Sequence, residues 1–272
     1  MSTTFLRRVA WWPAILVVTL LLAPHTRAQQ TTKTLAAVWA HADDEAAAAP
    51  VLARYAREGV RVYMIIVTDG SQGGRNTSIS RGPELARVRV EEARCAAAAL
   101  GSQPPILLAF PDAQLGSYME DPARLFEVTA RLQSELARLA PDALITWGPD
   151  GGTGHPDHRL VSSIVTQLVR AGAAGAPERL FYASLPEEGM RAVNPARGAA
   201  PFVIPLAKYF STRVSYSPED LEASVGAMTC HKSQYSDEVR GRIVKLMKGH
   251  DTGVMAFSAA LSSVATDGLF GR

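Results

Sequence analysis

Apolar and polar positions alternate in blocks along the chain, so that short apolar runs of strand length are separated by stretches of helical composition. The runs that predict buried strands are 34–40, 60–68, 106–110, 142–147 and 180–184. The stretches that predict helices include 46–57, 156–170 and a segment beginning at Ser217. Alternating strands and helices predict an α/β protein with a Rossmann-like, three-layer fold and a mostly parallel sheet.

The first predicted strand ends abruptly in ligating and charged side chains. They are His41, Asp43, Asp44 and Glu45. The alanine-rich stretch 46–57 follows, and its composition favours a helix if Pro50 falls in the first turn. Asp43 and Asp44 would then lie near a helix N-terminus, where negative charge is tolerated. The chemistry of this string therefore belongs to the carboxyl end of a strand.

A second string has the same context. Strand 142–147 leads into the glycine-rich loop 148–154, and a helix follows. That helix opens with His155, Pro156, Asp157 and His158. Proline suits the first turn of a helix, and the spacing of the two histidines places both on one side of a helical turn. Because ligands gather beyond the carboxyl ends of strands in open α/β sheets, the two strings can meet in space.

Together the two strings predict one catalytic metal centre. A hydrolytic zinc site usually takes three His, Asp or Glu ligands and keeps a fourth position for water. His41, Asp44 and His158 provide that set. Asp43 is then a carboxylate beside the metal that can take a proton from water, and His155 stands on the other side. These ligand types do not separate zinc from iron(II) or another divalent ion.

Each string taken alone also has an interpretation that involves no functional site. A lone histidine is more often a surface or core residue, and two histidines three positions apart occur often by accident. The acids 43–45 alone could be a solvated helix start. Two strings at strand ends with complementary ligand types favour the metal site. Asp157, between the two histidines, could accept a hydrogen bond from one imidazole and fix its tautomer.

The sequence resembles the PIG-L/LmbE family, whose motifs are AHPDDE after the first strand and GHPDH after a later one. Residues 40–45 read Ala-His-Ala-Asp-Asp-Glu, and residues 154–158 read Gly-His-Pro-Asp-His. Further matches are Arg89-Val90-Glu91-Glu92 with Leu100-Gly101, Phe110-Pro111-Asp112, and Cys230-His231-Lys232-Ser233-Gln234. The likeness covers about residues 34–250.

The resemblance implies an LmbE-like, zinc-dependent deacetylase that removes an acetyl group from N-acetylglucosamine-type sugars. It implies that His41, Asp44 and His158 bind the metal and that Asp43 is the general base. It further implies that His155 stabilises the tetrahedral intermediate or protonates the departing amine, and that Asp157 supports that histidine. Arg89 and Asp112 match positions that contact the sugar.

Three positions of the resemblance leave questions open. Ala42 stands where the family has proline, and we expect the change to loosen the loop slightly and leave the chemistry intact. His231 and Gln234 could be functional or structural.

Residues 1–28 have the pattern of a secretory signal peptide. An arginine pair precedes the uncharged run 9–23, and a small-x-small cleavage site ends at Ala28. We therefore expect export, to the periplasm or the exterior, with residues 29–272 as a single domain and no membrane span after cleavage. The alternative is an uncleaved leader that acts as a membrane anchor, although the apolar run is short for spanning.

Charge and missing motifs exclude several function classes. The leader holds three arginines and no acids, so the 28 basic and 26 acidic residues become 25 and 26 after cleavage, and nothing favours nucleic acid as a partner. No G-x-G-x-x-G follows the first strand, and no G-x-S-x-G occurs, which argues against a dinucleotide site and a serine hydrolase. A small molecule or a glycan remains as the expected substrate.

Two smaller features complete the sequence-based picture. Cys95 and Cys230 could pair in an exported protein, but a chain with two cysteines is no disulfide scaffold, and the favoured expectation leaves them unpaired. The glycine-rich run 70–74 lacks the lysine of a P-loop and is either a mobile active-site loop or a plain turn. Residues 186–205 have the composition of loop and short strand.

Three functions therefore remain. The leading hypothesis is an exported zinc deacetylase of an N-acetylated amino sugar. A second is a metal-dependent amidase or deacylase that uses the same site on a non-sugar amide. The third is a non-catalytic carbohydrate-binding protein on an enzyme-like scaffold, which the complete set of metal and catalytic residues disfavours.

Overall fold

Seven strands form one sheet within the described part of the chain, which in this computed structural model comprises residues 1, 32–184, 207–249, 252–260 and 268–269. The strands are β1 Thr34–Trp39, β2 Arg61–Thr68, β3 Ile106–Phe110, β4 Ala143–Trp147, β5 Leu180–Ala183, β6 Thr212–Ser215 and β7 Val254–Ala259. Their order is β3-β2-β1-β4-β5-β7-β6. Strands β1 to β5 pair in parallel, and β7 is antiparallel to both of its neighbours. The predicted Rossmann-like sheet is confirmed.

Six helices connect and cover these strands in the described residues. They are α1 Ala49–Arg57, α2 Pro83–Ala99, α3 Pro122–Leu139, α4 Pro156–Arg170, α5 Pro218–Cys230 and α6 Asp237–Gly249. The first five carry proline in the first turn, where its missing N–H costs no helical hydrogen bond. The predicted helix start at Ser217 is a capping box, in which Ser217 and Asp220 satisfy each other's backbone amides.

The core lies on both faces of the sheet. Leu35, Ala37 and Trp39 of β1 pack on the side of α1, α2 and α5, whereas Ala36 and Val38 pack on the side of α3 and α4. All five side chains are fully buried. A sheet covered on both faces needs apolar residues at every position, which explains the unbroken apolar runs in the sequence.

The sequence-based boundaries agree with the structure at most strands and differ at the two loops of the site. The predicted helix 46–57 divides at Ala48, whose φ of −142° separates the 3₁₀ turn Asp44–Ala47 from α1. The predicted loop 148–154 contains a short helical turn, Gly151–Gly154. Residues 186–205 and, apart from Met1, the leader 1–28 lie outside the described residues, so those expectations stay predictions.

The expectation that the cysteines remain unpaired is wrong. Cys95 in α2 and Cys230 at the end of α5 form a disulfide, with their Cα atoms 5.8 Å apart. The two helices pack side by side on one face of the sheet, and this contact joins positions 135 residues apart. No helix among the described residues has the length and apolar character that crossing a bilayer requires.

The strand order reverses at one point. From β1 the sheet continues to β2 on one side and to β4 on the other. The loops that follow β1 and β4 therefore leave the same edge of the sheet in opposite directions and open a crevice between them. Both histidine-aspartate strings lie in these loops.

Candidate metal centre

The side chains of the three predicted metal ligands lie close together. His41 Nδ1 is 3.0 Å from His158 Nε2, and Asp44 Oδ1 is 3.2 Å from the same His158 nitrogen. Asp44 Oδ2 is 3.8 Å from His41 Nδ1. Ligand atoms that each bind one ion at about 2 Å stand at such mutual distances.

Hydrogen bonds outside the cluster fix which nitrogen of each imidazole faces the other predicted ligands. His158 Nδ1 lies 2.9 Å from the carbonyl oxygen of Gly151 and donates to it, which leaves a lone pair on Nε2. His41 Nε2 lies 3.1 Å from Asp112 Oδ1 and 3.4 Å from Asp157 Oδ2, so this nitrogen donates and Nδ1 keeps its lone pair. Two lone pairs that face each other require a cation or a proton between them. The donor set therefore fits a divalent metal ion.

The electrostatics of the cluster favour positive charge. Burial disfavours a charged imidazole, yet hydrogen bonds to Asp112 and Asp157 raise the pKa of His41 to about 10. Burial also opposes ionisation of Asp44, but the neighbouring His158 and His41 lower the pKa of that carboxyl. Two backbone amides donate to Asp44 Oδ2 at 3.1 and 3.0 Å. Three carboxylates around one imidazole thus form a pocket for a cation.

Among the described residues, two trios offer one ligand atom each within 4.8 Å of one another, and the predicted trio is not one of them. They are His41 with His155 and His158, and His41 with Asp112 and Asp157. Asp44 approaches its two histidines with different oxygens, so it reaches each of them without bringing a single oxygen equally close to both. We favour the predicted trio because the lone pairs of His158 Nε2 and His41 Nδ1 face each other across 3.0 Å.

Asp43 is held beside the cluster in a strained backbone conformation. Its φ of 99° lies in the left-handed region, and its backbone amide donates to Glu45 Oε2 at 2.9 Å. The Tyr235 hydroxyl donates to Asp43 Oδ2 at 2.8 Å, and Arg89 Nη2 lies 3.4 Å from Oδ1. Burial raises the pKa of Asp43, while Arg89 opposes that rise. A fixed carboxylate with a raised pKa is suited to taking and returning a proton.

Arg89 and Asp112, the predicted sugar contacts, lie beside the cluster and are largely buried. Both line the cavity described below, but their side chains are only 2 % and 5 % exposed. Arg89 donates to the carbonyl oxygen of Ala42 and faces Asp43 and Glu92. Asp112 accepts from the backbone amide of Gln72 at 2.9 Å and faces His41. Arg89 Nη1 and Nη2 and the Asp112 carboxylate contact protein groups, so the two residues position the base and a ligand.

Asp157 supports a different histidine from the one that the resemblance implies. Its carboxylate faces His41 and accepts from the Gly116 amide at 3.1 Å. Its backbone amide, rather than its carboxylate, donates to His155 Nδ1 at 3.2 Å. Burial and the neighbouring His41 and His158 lower the pKa of His155 to about 4. In this structure His155 is therefore a neutral imidazole with its proton on Nε2.

Several supporting contacts have no signal in the two strings. Tyr235 directly follows the string 230–234, but nothing in that pattern assigns it to Asp43. His231 Nε2 lies 2.5 Å from Glu45 Oε1, which makes it a structural support, and Trp147 stacks on the His158 ring at 4.9 Å. Stacking and long-range pairing of this kind depend on the tertiary fold.

A cavity of about 700 Å³ opens over the cluster. Its polar end is formed by His41, Asp43, Asp44, His155 and His158. Gln234 and Gly73, which belongs to the glycine-rich run 70–74, line the cavity as well. The volume is in the range of about 300–1,000 Å³ that ligand pockets occupy.

The family model for PIG-L, described as GlcNAc-PI de-N-acetylase, matches residues 36–169. This segment belongs to the PIG-L family. It contains all eight residues that the sequence singles out for the site, and it spans both histidine-aspartate strings. The predicted resemblance is thereby confirmed.

Curated relatives extend the PIG-L likeness beyond the matched segment. A 1D-myo-inositol 2-acetamido-2-deoxy-alpha-D-glucopyranoside deacetylase of Mycolicibacterium vanbaalenii is 28% identical over 239 residues, which cover 78% of this chain and 84% of that protein. A protein of the same description from Rhodococcus erythropolis is 32% identical over 164 residues, which cover 54% of this chain and 56% of that protein.

Solved structures share the fold of this chain. The N,N'-diacetylchitobiose deacetylase of Pyrococcus horikoshii superposes with a TM-score of 0.61 at 19% identity, covering 84% of this chain and 83% of its own. A conserved protein of Thermus thermophilus superposes with a TM-score of 0.58 at 21% identity, covering 83% of this chain and 93% of its own. At these identities the likeness establishes the architecture.

Proposed function

We propose that this protein is a metal-dependent hydrolase that removes the acetyl group from an N-acetylglucosamine-type sugar or glycoconjugate. The observation that carries the proposal is the close approach of the His41, Asp44 and His158 side chains to one another, with the fixed carboxylate of Asp43 beside them. The names of the curated relatives, which are deacetylases of an acetamido sugar, support the sugar and the acyl group.

The ion would be held by His41, Asp44 and His158, and zinc or iron(II) suits this ligand set. When bound there, a divalent ion lowers the pKa of a water towards about 7 and polarises the acetyl carbonyl. Asp112 and Asp157 keep His41 in the tautomer that leaves Nδ1 free, and Gly151 does the same for His158 Nε2.

Asp43 acts as the general base. It takes a proton from the attacking water while the water oxygen bonds to the acetyl carbon, and the carbonyl oxygen becomes an oxyanion. Tyr235 and Arg89 hold the two oxygens of Asp43, so the carboxylate needs no reorientation during the reaction.

His155 stabilises the oxyanion as a neutral donor. The Asp157 amide points at His155 Nδ1, so the ring proton resides on Nε2 and can be donated to the developing negative charge. A proton on Nδ1 would break that hydrogen bond, which disfavours the imidazolium form. Asp43 therefore returns the proton it collected to the departing nitrogen as the C–N bond breaks, and the products are acetic acid and the amine, which become acetate and the protonated amine when the acid's proton passes to the amine.

The test combines metal analysis of the purified protein with acetate release from N-acetylglucosamine derivatives. We expect chelation to abolish activity and added divalent ion to restore it. Asp43→Asn should lower kcat by about 10²–10⁴-fold and retain the metal, whereas His158→Ala should lose the metal. Asp237→Asn, on an exposed position at the start of α6, is the matched control.

Near-wild-type turnover by Asp43→Asn, or by the metal-free protein, would overturn the mechanism. Faster hydrolysis of N-acetyl amino acids than of acetamido sugars would indicate the amidase alternative. Absence of turnover in metal-loaded protein across both substrate classes would indicate a binding protein.

We also propose export, with cleavage after Ala28. The arginine pair, the uncharged run and the small-x-small site support this proposal. Mass spectrometry of the protein from a secreting host should give a chain that begins at Gln29. A chain that retains its N-terminus in the membrane fraction would favour the anchored alternative.

A further inference from the structure

One side of the cavity is apolar and takes no part in the proposed chemistry. We name it the apolar lobe, and its principal residues are Leu221, Met228, Ile243, Leu246, Met247 and Met255. These side chains line the same cavity as His41 and Asp43, so the lobe and the metal centre share one space.

Local structure explains how the lobe forms. Ile243, Leu246 and Met247 recur at i, i+3 and i+4 in α6 and therefore share one face of the helix. Leu221 and Met228 are two turns apart in α5, and β7 contributes Met255. Leu221, Met228 and Ile243 are buried. Leu246, Met247 and Met255 are only half-buried. The lobe thus leaves apolar side-chain surface that a ligand could cover.

Covering that surface favours an apolar group over a polyol. Each buried methylene contributes favourably to binding, whereas a buried hydroxyl without a hydrogen-bond partner carries a penalty. The six side chains of the lobe offer carbon and thioether sulfur only, and three of them are methionines, which adapt to alkyl or aromatic shapes. An inositol ring, the polyol in the names of the curated relatives, would find few partners there.

We propose that the substrate carries an apolar substituent, such as an alkyl chain or an aromatic group, which occupies the apolar lobe while the N-acylated amino sugar lies at the metal centre. This inference rests on the proposed function. The substituent is either the aglycone of the sugar or an N-acyl chain longer than acetyl, and both would present the same hydrocarbon to the lobe.

The test compares three substrates with the metal-loaded protein, below their micellar concentrations. They are methyl N-acetylglucosaminide, octyl N-acetylglucosaminide and methyl N-octanoylglucosaminide. We expect kcat/KM to rise about tenfold or more over the methyl N-acetyl substrate for one of the two octyl forms, and the form that gains identifies the source of the hydrocarbon. Binding of octyl and methyl glucosaminide, measured by calorimetry, should show the same order if the aglycone occupies the lobe.

Leu246→Gln places a polar amide in the lobe at a half-buried position, and Lys245→Gln alters its exposed neighbour as the control. The octyl-to-methyl ratio of kcat/KM should fall several-fold in Leu246→Gln and stay at the wild-type value in Lys245→Gln. If the methyl substrate is deacetylated and neither octyl form reacts better, the lobe inference fails and the proposed function stands. If no acetamido sugar reacts, the proposed function itself fails. A preference for an octyl substrate that Leu246→Gln leaves intact would also overturn the inference that the apolar lobe binds the substituent.

Discussion

The Tyr235 hydroxyl donates a 2.8 Å hydrogen bond to Asp43 Oδ2, although the two residues are 192 positions apart in the chain. Arg89 lies 3.4 Å from the other oxygen of the same carboxylate. Burial disfavours the charge on Asp43, and these two contacts stabilise it and fix its direction. Tyr235 is therefore a positioning residue for the proposed base.

Tyr235→Phe should lower kcat by about ten- to a hundredfold. A hydrogen bond to a charged group contributes about 1.5–3 kcal/mol, and each 1.36 kcal/mol corresponds to a factor of about ten in rate. The ring remains in place and the ligands are untouched, so KM and metal content should change little. Steady-state kinetics and metal analysis on the same preparation measure all three quantities.

Tyr182→Phe is the matched control, because it also removes a hydroxyl, one that lies 2.7 Å from Thr166. Tyr182 does not line the cavity over the metal centre. Its kcat should equal that of the wild type. A Tyr235→Phe variant with unchanged kcat would contradict the positioning role, and loss of metal would indicate a structural effect on the ligands instead.

The ligand trio could be predicted because each half of it is local in sequence. His41 and Asp44 follow one apolar run directly, His158 opens the helix after another, and strand ends of a parallel sheet converge. Tyr235 and His231 could not be assigned partners in this way. Their contacts with Asp43 and Glu45 span 192 and 186 positions, and no spacing rule links such positions.

The fold was predictable to a similar extent. Strands β1 to β5 are largely apolar, and all but β3 are mostly buried, so their composition alone indicates them. Strand β6 is four residues long and alternates between buried and exposed positions, and β7 is mostly half-buried. Strand β6 escapes an apolar-run criterion because it depends on antiparallel pairing at the sheet edge. Strand β7 is a largely apolar run in the tail after Gly249, which the sequence interpretation left unassigned.

His231 and Glu45 form a buried pair that connects the end of α5 to the loop of the metal centre. The two side chains are 0% and 2% exposed, and Glu45 also accepts the backbone amide of Asp43. His231→Ala should reduce the free energy of unfolding by about 3–5 kcal/mol, because it leaves a buried carboxylate unpaired. Urea unfolding measures the loss. Lys232→Ala, at the exposed neighbouring position, should stay within about 0.5 kcal/mol of the wild type.

The same pair predicts a pH dependence of stability. Burial lowers the pKa of His231, but the charge of Glu45 outweighs it and raises that pKa above the ordinary 6.5. The stabilisation from the protonated pair is therefore fully present below pH 6.5 and is lost as the pH rises through the raised pKa. The free energy of unfolding of the wild type should fall over that alkaline interval, and a His231→Gln variant should show a flatter profile. Identical slopes of the free energy of unfolding against pH in both proteins would contradict the prediction.

The Cys95–Cys230 disulfide closes a loop of 135 positions and should stabilise the protein substantially. Disulfides contribute about 2–4 kcal/mol, and longer loops contribute more because they restrict the unfolded chain more. Reductant should lower the unfolding midpoint of the wild type in guanidinium. The double variant Cys95→Ala with Cys230→Ala should show the lowered midpoint from the start and no further response to reductant. A wild-type midpoint that reductant leaves unchanged would exclude the stabilising role.

Gly152 should be required for the position of His158. A Cβ atom at Gly152 would lie 2.3 Å from the Trp147 ring, which stacks on the His158 imidazole at an interplanar angle of 3°. Gly172 has nearly the same φ, +63° against +61°, and nothing within 4 Å of its Cβ position. Gly172→Ala should therefore cost only the left-handed strain of about 1–2 kcal/mol.

Gly152→Ala adds a clash with Trp147, and the Gly152 ψ of −56° lies outside the left-handed helical region, so its backbone strain is larger than at Gly172. Relief of that clash moves the indole and with it the His158 ring, so metal affinity should fall by at least about tenfold, while Gly172→Ala keeps the wild-type affinity. Metal titration followed by calorimetry, with thermal unfolding of both variants, separates the two effects. Equal metal affinity in Gly152→Ala and Gly172→Ala would show that the His158 position does not depend on the Trp147 stack.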